Sequence, residues 1–256
     1  MRVTCIQLEM KDQSKGNNRD DLLEMLEQAP ESDLIILPEI WPIGFFRFDH
    51  YQNESETIDG PIVSLLREQA REKGCYLHMG SFVEKDENGF YNTSLMFDPK
   101  GEIIAKYKKI HLFGYQSEEQ QLLTPGETII TAETEFGVVG LSTCYDLRFP
   151  ELFRKMVDKG ATIFLVTSAW PKVRLEAWKL FCQTRALENL SFLISCNCAG
   201  FNDGKQYAGN SMIVSPQGEI LAKAGEKGSV LSSNIDPKES ISFRKDFPAL
   251  NDRVFH

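Results

Sequence analysis

Short apolar runs rich in β-branched and aromatic residues recur along the whole chain, and helix-like stretches separate several of them. The runs predict strands at residues 3–8, 34–37, 76–83, 93–97, 138–143, 162–167, 192–196, 211–214 and 230–235. The clearest helical stretches are residues 18–28, 61–73 and 175–189. This alternation predicts an α/β fold.

Turn signals indicate that part of the sheet structure is antiparallel. Asn88-Gly89 and the segments 98–101 and 215–218 separate closely spaced strands, as hairpin turns do. A purely parallel, doubly wound sheet therefore fits poorly. We see no internal repeat and no linker, so residues 1–256 are expected to form one domain, and the aromatic-rich segment 41–60 is expected to shape a site.

Charge and composition restrict the kinds of partner. The 256 residues carry a net charge of -9, without a basic surface for nucleic acid, so an anionic substrate needs a local cation. Residues 1–8 do not resemble a signal peptide, and no run approaches the length of a membrane helix, which predicts a cytoplasmic protein that binds no membrane. The six cysteines lack CxxC spacing, which suggests neither a disulfide framework nor a zinc site.

Cys144 follows a predicted strand, at a sharp turn before a predicted helix. A nucleophile is well presented there, because the backbone N–H groups that follow point toward the negative charge that develops on a substrate oxygen. A helix start also lowers the pKa of a thiol. The alternative is an inert buried cysteine, and this segment alone leaves both interpretations open.

Two further segments contain groups suited to catalysis. Glu39 ends the apolar strand 34–37 beside Trp41, where partial desolvation suits a carboxylate to proton transfer. Lys109 lies two residues before His111, so both would face one side if the chain is extended. Taken alone, each of these segments favours the alternative, in which Glu39 and Lys109 are solvated surface residues. For His111 we expect hydrogen bonds that orient its loop, rather than metal binding or a role as the base of a triad.

Three motifs in this order resemble the nitrilase or carbon-nitrogen hydrolase superfamily: LPE at 37–39, YKKIHLF at 107–113 and CYDLRFPE at 144–151. The resemblance implies a four-layer α-β-β-α sandwich with mixed sheets and association into a homodimer. It also implies a catalytic triad of Glu39, Lys109 and Cys144. A second glutamate often precedes the Pro-Gly turn in this family. Glu119 matches it best, with Glu118 as the neighbouring alternative.

CYDLRFPE and the later TSAWP at 167–171 resemble the omega-amidase branch. This implies cysteine-dependent hydrolysis of the terminal amide of a small carboxylate, such as α-ketoglutaramate or succinamate, through a thioester. The Lys109 ammonium and the Tyr145 backbone N–H would hold the oxyanion. The proposed groups are all side chains or backbone, so no metal and no organic cofactor is expected.

Substrate recognition in this branch needs a cation near the nucleophile. Arg148 and Arg174 are candidates on spacing alone, and Trp170 and Phe45 are candidate pocket walls. Arg148 could equally form a structural ion pair with a nearby acid. The same triad would also serve an N-carbamoyl amine hydrolase or a deaminated glutathione amidase. A non-catalytic protein and a thiol redox protein are the alternatives from other classes.

Overall fold

The computed structural model describes residues 1–254, in which strands and helices alternate as the pattern predicts. The strands are β1 (Arg2–Gln7), β2 (Glu9–Met10), β3 (Leu34–Ile36), β4 (Tyr76–His78), β5 (Phe82–Asp86), β6 (Gly89–Phe97), β7 (Ile103–Lys108), β8 (Thr131–Thr134), β9 (Gly137–Thr143), β10 (Ile163–Ser168), β11 (Phe192–Asn197), β12 (Ala199–Asn202), β13 (Lys205–Gln206), β14 (Met212–Val214), β15 (Ile220–Lys223) and β16 (Ser229–Asn234). The α-helices are α1 (Lys15–Gln28), α2 (Tyr51–Glu54), α3 (Pro61–Lys73), α4 (Glu119–Leu122), α5 (Pro150–Asp158), α6 (Leu175–Asn189) and α7 (Lys238–Asp246). Short 3-10 turns cover Phe48–His50, Cys144–Arg148, Lys172–Arg174 and Ala249–Asp252.

Two large mixed sheets form the centre of the fold. The first has the order β16-β1-β3-β4-β6-β5, with β7 also paired to β6, and the second has the order β15-β14-β11-β10-β9-β8. Each sheet has a parallel centre, β1-β3-β4 in the first and β9-β10-β11 in the second, and antiparallel strands outside it. The hairpins predicted at 88–89, 98–101 and 215–218 join β5 to β6, β6 to β7 and β14 to β15.

Three buried apolar clusters define the layers. One lies between the sheets, where Val3 and Ile36 of the first sheet share a cluster with Leu141 and Leu165 of the second. A second cluster joins the outer face of the first sheet to α1 and α3, and a third joins the outer face of the second sheet to α5 and α6. Because each sheet buries both faces, its central strands are mostly apolar. The expected four-layer α-β-β-α sandwich with mixed sheets is confirmed.

The helices at 61–73 and 175–189 have the bounds that the pattern predicts. Pro61 occupies the first turn of α3, where its missing N–H costs nothing. Gly74 ends the helix with φ +59°, a left-handed conformation that glycine adopts without a steric penalty. Within residues 1–254, no helix combines the length and the apolar character needed to cross a bilayer.

The apolar run 76–83 forms two strands instead of the single strand predicted. Gly80 breaks it with φ +69°, and a Cβ there would lie 2.0 Å from the carbonyl oxygen of Pro38. Only glycine therefore allows this approach of the two backbones. The close contact supports the turn that carries Glu39.

Candidate active site

The candidate catalytic side chains come from both sheets, at the ends of three strands. Glu39 follows β3, Lys109 follows β7 and Cys144 follows β9. The hydroxyl of Thr167, near the end of β10, donates to the carbonyl oxygen of Leu37 at 2.8 Å and links the two sheets at this edge. The three strand ends therefore converge on one site.

The turn after β3 holds Glu39 at both its backbone and its carboxylate. The Glu39 N–H donates to the Ser168 carbonyl at 3.3 Å, and the Ala169 N–H donates to Oε2 of Glu39 at 2.8 Å. Ile40 has φ +42°, which is strained for a β-branched residue, and its N–H donates to Oγ of Ser81 at 3.0 Å. Strain held in place by such bonds is typical of functional sites.

Lys109 lies between two buried carboxylates. Its Nζ is 2.8 Å from Oε1 of Glu39, and 2.9 and 3.0 Å from Oε1 and Oε2 of Glu119. All three side chains are almost fully buried. Glu118 is exposed, so Glu119 is the acid that completes the cluster. The strand β7 ends at Lys108, so the extended chain on which a shared face of Lys109 and His111 depended does not reach these two residues.

Asn92 belongs to this cluster as well, and the sequence reasoning assigned it no role at the site. Its Nδ2 donates to Oε1 of Glu39 at 2.9 Å and to Oε1 of Glu119 at 3.0 Å. The Phe113 N–H adds a bond of 2.6 Å to Oε2 of Glu119. Each oxygen of Glu119 therefore accepts two hydrogen bonds. All of these partners are donors, so a protonated Glu119 would find no acceptor among them for its O–H group.

Burial and charge act in opposite directions on Lys109. Burial alone would lower its pKa, but the carboxylates of Glu119 and Glu39 outweigh that effect, and the pKa of Lys109 lies above its usual value. Burial raises the pKa of Glu119, opposed by Lys109 and by the hydrogen bonds from Phe113 and Asn92. Lys109 is therefore a permanent cation at this site.

Cys144 is the first residue of the 3-10 turn after β9 and has φ +49°, a left-handed conformation uncommon for residues other than glycine. Its side chain reaches the surface of a cavity although the residue is 8% exposed. Burial raises the pKa of the Cys144 thiol well above its usual value, the neighbouring Glu39 carboxylate raises it further, and Lys109 opposes the shift.

The strand, sharp turn and helix predicted around Cys144 are present: β9 ends at Thr143, a 3-10 turn begins at the cysteine, and α5 begins at Pro150. The expected lowering of the thiol pKa by a helix start was wrong, because burial raises that pKa instead. In consequence the thiol needs a base to become nucleophilic, and Glu39 is next to it.

The cavity above Cys144 has a volume of about 420 Å³. Aromatic residues of four segments line it, including Phe45 and Phe46 from the predicted site-shaping segment and Trp170 after β10. Phe45 is fixed by its backbone, because its N–H donates to the Tyr207 hydroxyl at 3.1 Å and its carbonyl accepts from the Tyr51 hydroxyl at 2.6 Å. The charged side chains in the lining are all cations: Arg148, Lys172, Arg174 and Lys205.

The predicted substrate-binding residues all line this cavity. The Arg148 guanidinium lies 5.7 Å from the Trp170 ring, and the Arg174 guanidinium lies 5.2 Å from the Phe113 ring. Within residues 1–254, neither arginine forms an ion pair, so the alternative of a structural ion pair for Arg148 is not observed. Tyr145 also lines the cavity, directly after the cysteine.

Lys172 and Lys205 differ from each other in their surroundings. Lys172 pairs with Glu226, which neutralises its charge. Lys205 lies on the hairpin of β12 and β13, with its Nζ 4.8 Å from the Phe46 ring. Residues 1–254 contain no group of three or more His, Cys, Asp or Glu side chains arranged to share a metal ion.

Comparisons with known proteins agree with one another. A family model described as carbon-nitrogen hydrolase matches residues 2–245. A 2-oxoglutaramate amidase from Paenarthrobacter nicotinovorans is 36% identical over 90% of this chain and 81% of its own length. The omega-amidase NIT2 from Homo sapiens is 32% identical over 98% of this chain and 94% of its own length. The crystal structure of Saccharomyces cerevisiae Nit3, a member of branch 10 of the nitrilase superfamily, superposes with a TM-score of 0.90 at 30% identity, covering 100% of this chain and 97% of Nit3.

Proposed function

The chain belongs to the carbon-nitrogen hydrolase family and is a hydrolase of non-peptide amides, and on this premise we propose that it cleaves the terminal amide of a small carboxylate, such as α-ketoglutaramate or succinamate, through a thioester on Cys144. One observation carries the choice of substrate. Among the residues that the structure describes, the charged side chains lining the cavity that exposes the Cys144 thiol are cations, with no acidic side chain. A carboxylate is the common anionic partner of arginine, and it would leave the neutral amide to face the thiol.

The first step is attack by the thiol. Glu39 takes the proton as Cys144 Sγ forms a bond to the amide carbon, and the carbonyl oxygen becomes an oxyanion. The negative charge thus moves from Glu39 to the substrate without a change in the total charge of the site. Protonation of Glu39 weakens its bond to Lys109, which frees one N–H of Nζ for the oxyanion, together with the Tyr145 backbone N–H.

The second step returns the proton. Glu39 donates it to the leaving nitrogen, the carbon-nitrogen bond breaks, and ammonia leaves a thioester on Cys144. Water then attacks the thioester carbon while Glu39 accepts a proton from it. The carbon-sulfur bond breaks, the carboxylic acid is released and the thiol takes up the proton again. Glu119 stays ionised through the cycle, because its two oxygens accept four hydrogen bonds from Lys109, Asn92 and the Phe113 N–H.

Ammonia release tests this proposal. We expect the native protein to release ammonia from α-ketoglutaramate and succinamate, and Cys144→Ala to release none while remaining folded. Added hydroxylamine should be acylated by the thioester, giving the hydroxamate of the same acid. No release from either substrate by the folded native protein would refute the assignment.

An N-carbamoyl amine, the amide of deaminated glutathione and a simple nitrile belong in the same assay, since the same triad could act on each. A carbamoylase would also release carbon dioxide. Turnover of one of these alone would keep the triad and change the substrate class. Disulfide formation at Cys144 without ammonia release would favour a thiol redox protein instead.

We also propose that the chain, as one domain, forms a homodimer through α6. Leu180 and Leu187 are 65% and 51% exposed, and their spacing of seven residues puts them on one face of this helix. An apolar helix face at the surface is typical of an interface. Light scattering should give the mass of a dimer, and a double change to lysine at Leu180 and Leu187 should give a monomer. A native monomer at micromolar concentration would contradict this proposal.

A cytoplasmic location is proposed as well, supported by the state of the cysteines. All six are unpaired, as in proteins kept under reducing conditions. Cell fractionation with an antibody to the native protein tests this, and recovery in a secreted fraction would overturn it.

A further inference from the structure

Asp146 is a fully buried carboxylate for which the mechanism above has no use. Its Oδ2 accepts from the Tyr107 hydroxyl at 2.6 Å and from the Thr143 N–H at 2.8 Å. Its Oδ1 accepts from the His111 N–H at 3.2 Å and lies 2.7 Å from Nδ1 of the same histidine. The carboxylate therefore uses both oxygens, each with two partners.

These partners flank the two catalytic segments. Tyr107 and His111 lie two residues before and two residues after Lys109, and they belong to the first sheet and the loop that leaves it. Thr143 directly precedes Cys144, at the end of β9 in the second sheet. One carboxylate thus joins the lysine segment to the cysteine turn across the layers of the sandwich.

The bond to Thr143 also bears on the strained backbone of the nucleophile. Cys144 adopts φ +49°, and Asp146 holds the N–H of the residue before it. His111 is held in turn by stacking on Phe149, with ring centroids 3.7 Å apart and planes at 7°. Both ends of the link are therefore fixed.

We propose that Asp146 is a positioning residue for the amidase reaction, which holds the Cys144 thiol in register with the Lys109 ammonium. The inference rests on the proposed function of Cys144 and Lys109. Attack requires the sulfur, the amide carbon and the oxyanion donor to be aligned, and a misplacement of about 1 Å can cost about 100-fold in rate. Asp146 acts through these two residues and does not touch the substrate.

An amide cannot replace this carboxylate. Each oxygen accepts from one backbone N–H, that of Thr143 or that of His111. In Asp146→Asn, either orientation puts an NH2 group against one of these donors, so one of the two catalytic segments loses its bond. Tyr107→Phe is milder, since it removes the hydroxyl that donates to Oδ2 and accepts from the Ile110 N–H, but keeps both backbone bonds to the carboxylate.

The experiment measures kcat and KM for succinamate and the rate of Cys144 alkylation by iodoacetamide. For Asp146→Asn we expect kcat to fall about 100-fold, with KM within about threefold of native, and alkylation to slow by at least about tenfold. Tyr107→Phe should lower kcat by about three- to tenfold. If Asp146→Asn does not fold, Tyr107→Phe decides the question by the same measurements.

Glu84→Gln is the matched control. Glu84 is also a buried carboxylate, which accepts from the Thr93 hydroxyl at 2.8 Å and pairs with Lys106, but these partners both belong to the first sheet, so it does not link the lysine segment to the cysteine turn. We expect this variant to lose stability without a change in the kcat of the folded protein. A kcat for folded Asp146→Asn within about threefold of native, or an equal loss in Glu84→Gln, would overturn the inference. Failure of the proposed function differs from this, because then the native protein would not turn over succinamate at all.

Discussion

Arg174 provides a direct test of how the cavity recognises a carboxylate. Its guanidinium lies against Phe113 and Tyr115, at 5.2 and 5.4 Å from the ring centroids, and it has no acidic partner among residues 1–254. Arg174→Met removes the charge and keeps an unbranched apolar side chain that can pack on these rings. The perturbation is thus confined to the cation.

The expected loss of kcat/KM in Arg174→Met follows from the partial exposure of this side chain. A hydrogen bond to a charged group contributes about 1.5 to 3 kcal/mol, and the lower value applies at a partly exposed side chain such as Arg174. About 1.5 kcal/mol corresponds to about a tenfold loss of kcat/KM. Arg148 is more exposed, and we expect at most the same loss for Arg148→Met.

Two substrates of equal length separate recognition of the carboxylate from all other effects. Succinamate and butyramide differ only in that a methyl group replaces the carboxylate. We expect Arg174→Met to lose about tenfold in kcat/KM on succinamate and less than about threefold on butyramide. Lys172→Met is the matched control, because Lys172 already pairs with Glu226. It should change kcat/KM on both substrates by less than about threefold.

The loss of kcat/KM on succinamate, divided by the loss on butyramide, decides the outcome. An equal loss on succinamate and butyramide in both arginine variants would show that these side chains shape the cavity without reading the charge. The cations of the cavity would then no longer support a carboxylate substrate, although the proposed chemistry at Cys144 would be unaffected.

Three other predictions concern the proposed catalytic carboxylate, a buried histidine and a glycine. Glu39→Gln should lower the pKa of the Cys144 thiol, because the Glu39 carboxylate raises it, and amide turnover should fall at least about 100-fold. The rate of alkylation by iodoacetamide should then reach its plateau at a lower pH than in the native protein, and an unchanged pH profile would contradict this. Burial lowers the pKa of His78 to about 4, so between pH 6.5 and 4 the unfolded chain binds a proton that the folded chain does not, and the free energy of unfolding should fall by about 3 kcal/mol. In urea titrations over this pH range, His78→Gln should show a smaller fall in the free energy of unfolding than the native protein, and an equal fall would refute the assignment. Gly80→Ala should lower the free energy of unfolding by about 1 to 3 kcal/mol more than Gly74→Ala does and should also lower kcat, because both glycines have positive φ but only Gly80 lies against the backbone before Glu39. Equal melting temperatures of the two variants would argue against this.

Local patterns predicted the parts of the fold that depend on neighbouring residues. The helix 61–73 could be bounded because a proline and a glycine mark its ends, and the strands before Glu39 and Cys144 could be found because they are short apolar runs. The order of the three motifs then indicated which strand ends would meet. Such signals act over a few residues, and they are read directly from the chain.

The remaining features depend on contacts between distant residues. Asn92 is 53 positions from Glu39, and Asp146 is 35 positions from His111, so no local period could pair them. The break at Gly80 lies inside an apolar run and arises from the approach of another segment, at Pro38. The direction of the pKa shift of Cys144 was wrong for the same reason, since burial by the assembled layers decides it.

The charges of the site also explain how a substrate would orient. Two carboxylates surround one ammonium, so the buried cluster of Glu39, Lys109 and Glu119 carries a net negative charge beneath the thiol. The rim carries Arg148 and Arg174, which have no acidic partner among residues 1–254. A carboxylate is thus attracted to the rim and repelled from the base, which turns the neutral amide toward the thiol. Hydrolysis creates a second carboxylate next to the negative cluster, and the same repulsion then favours release of the product.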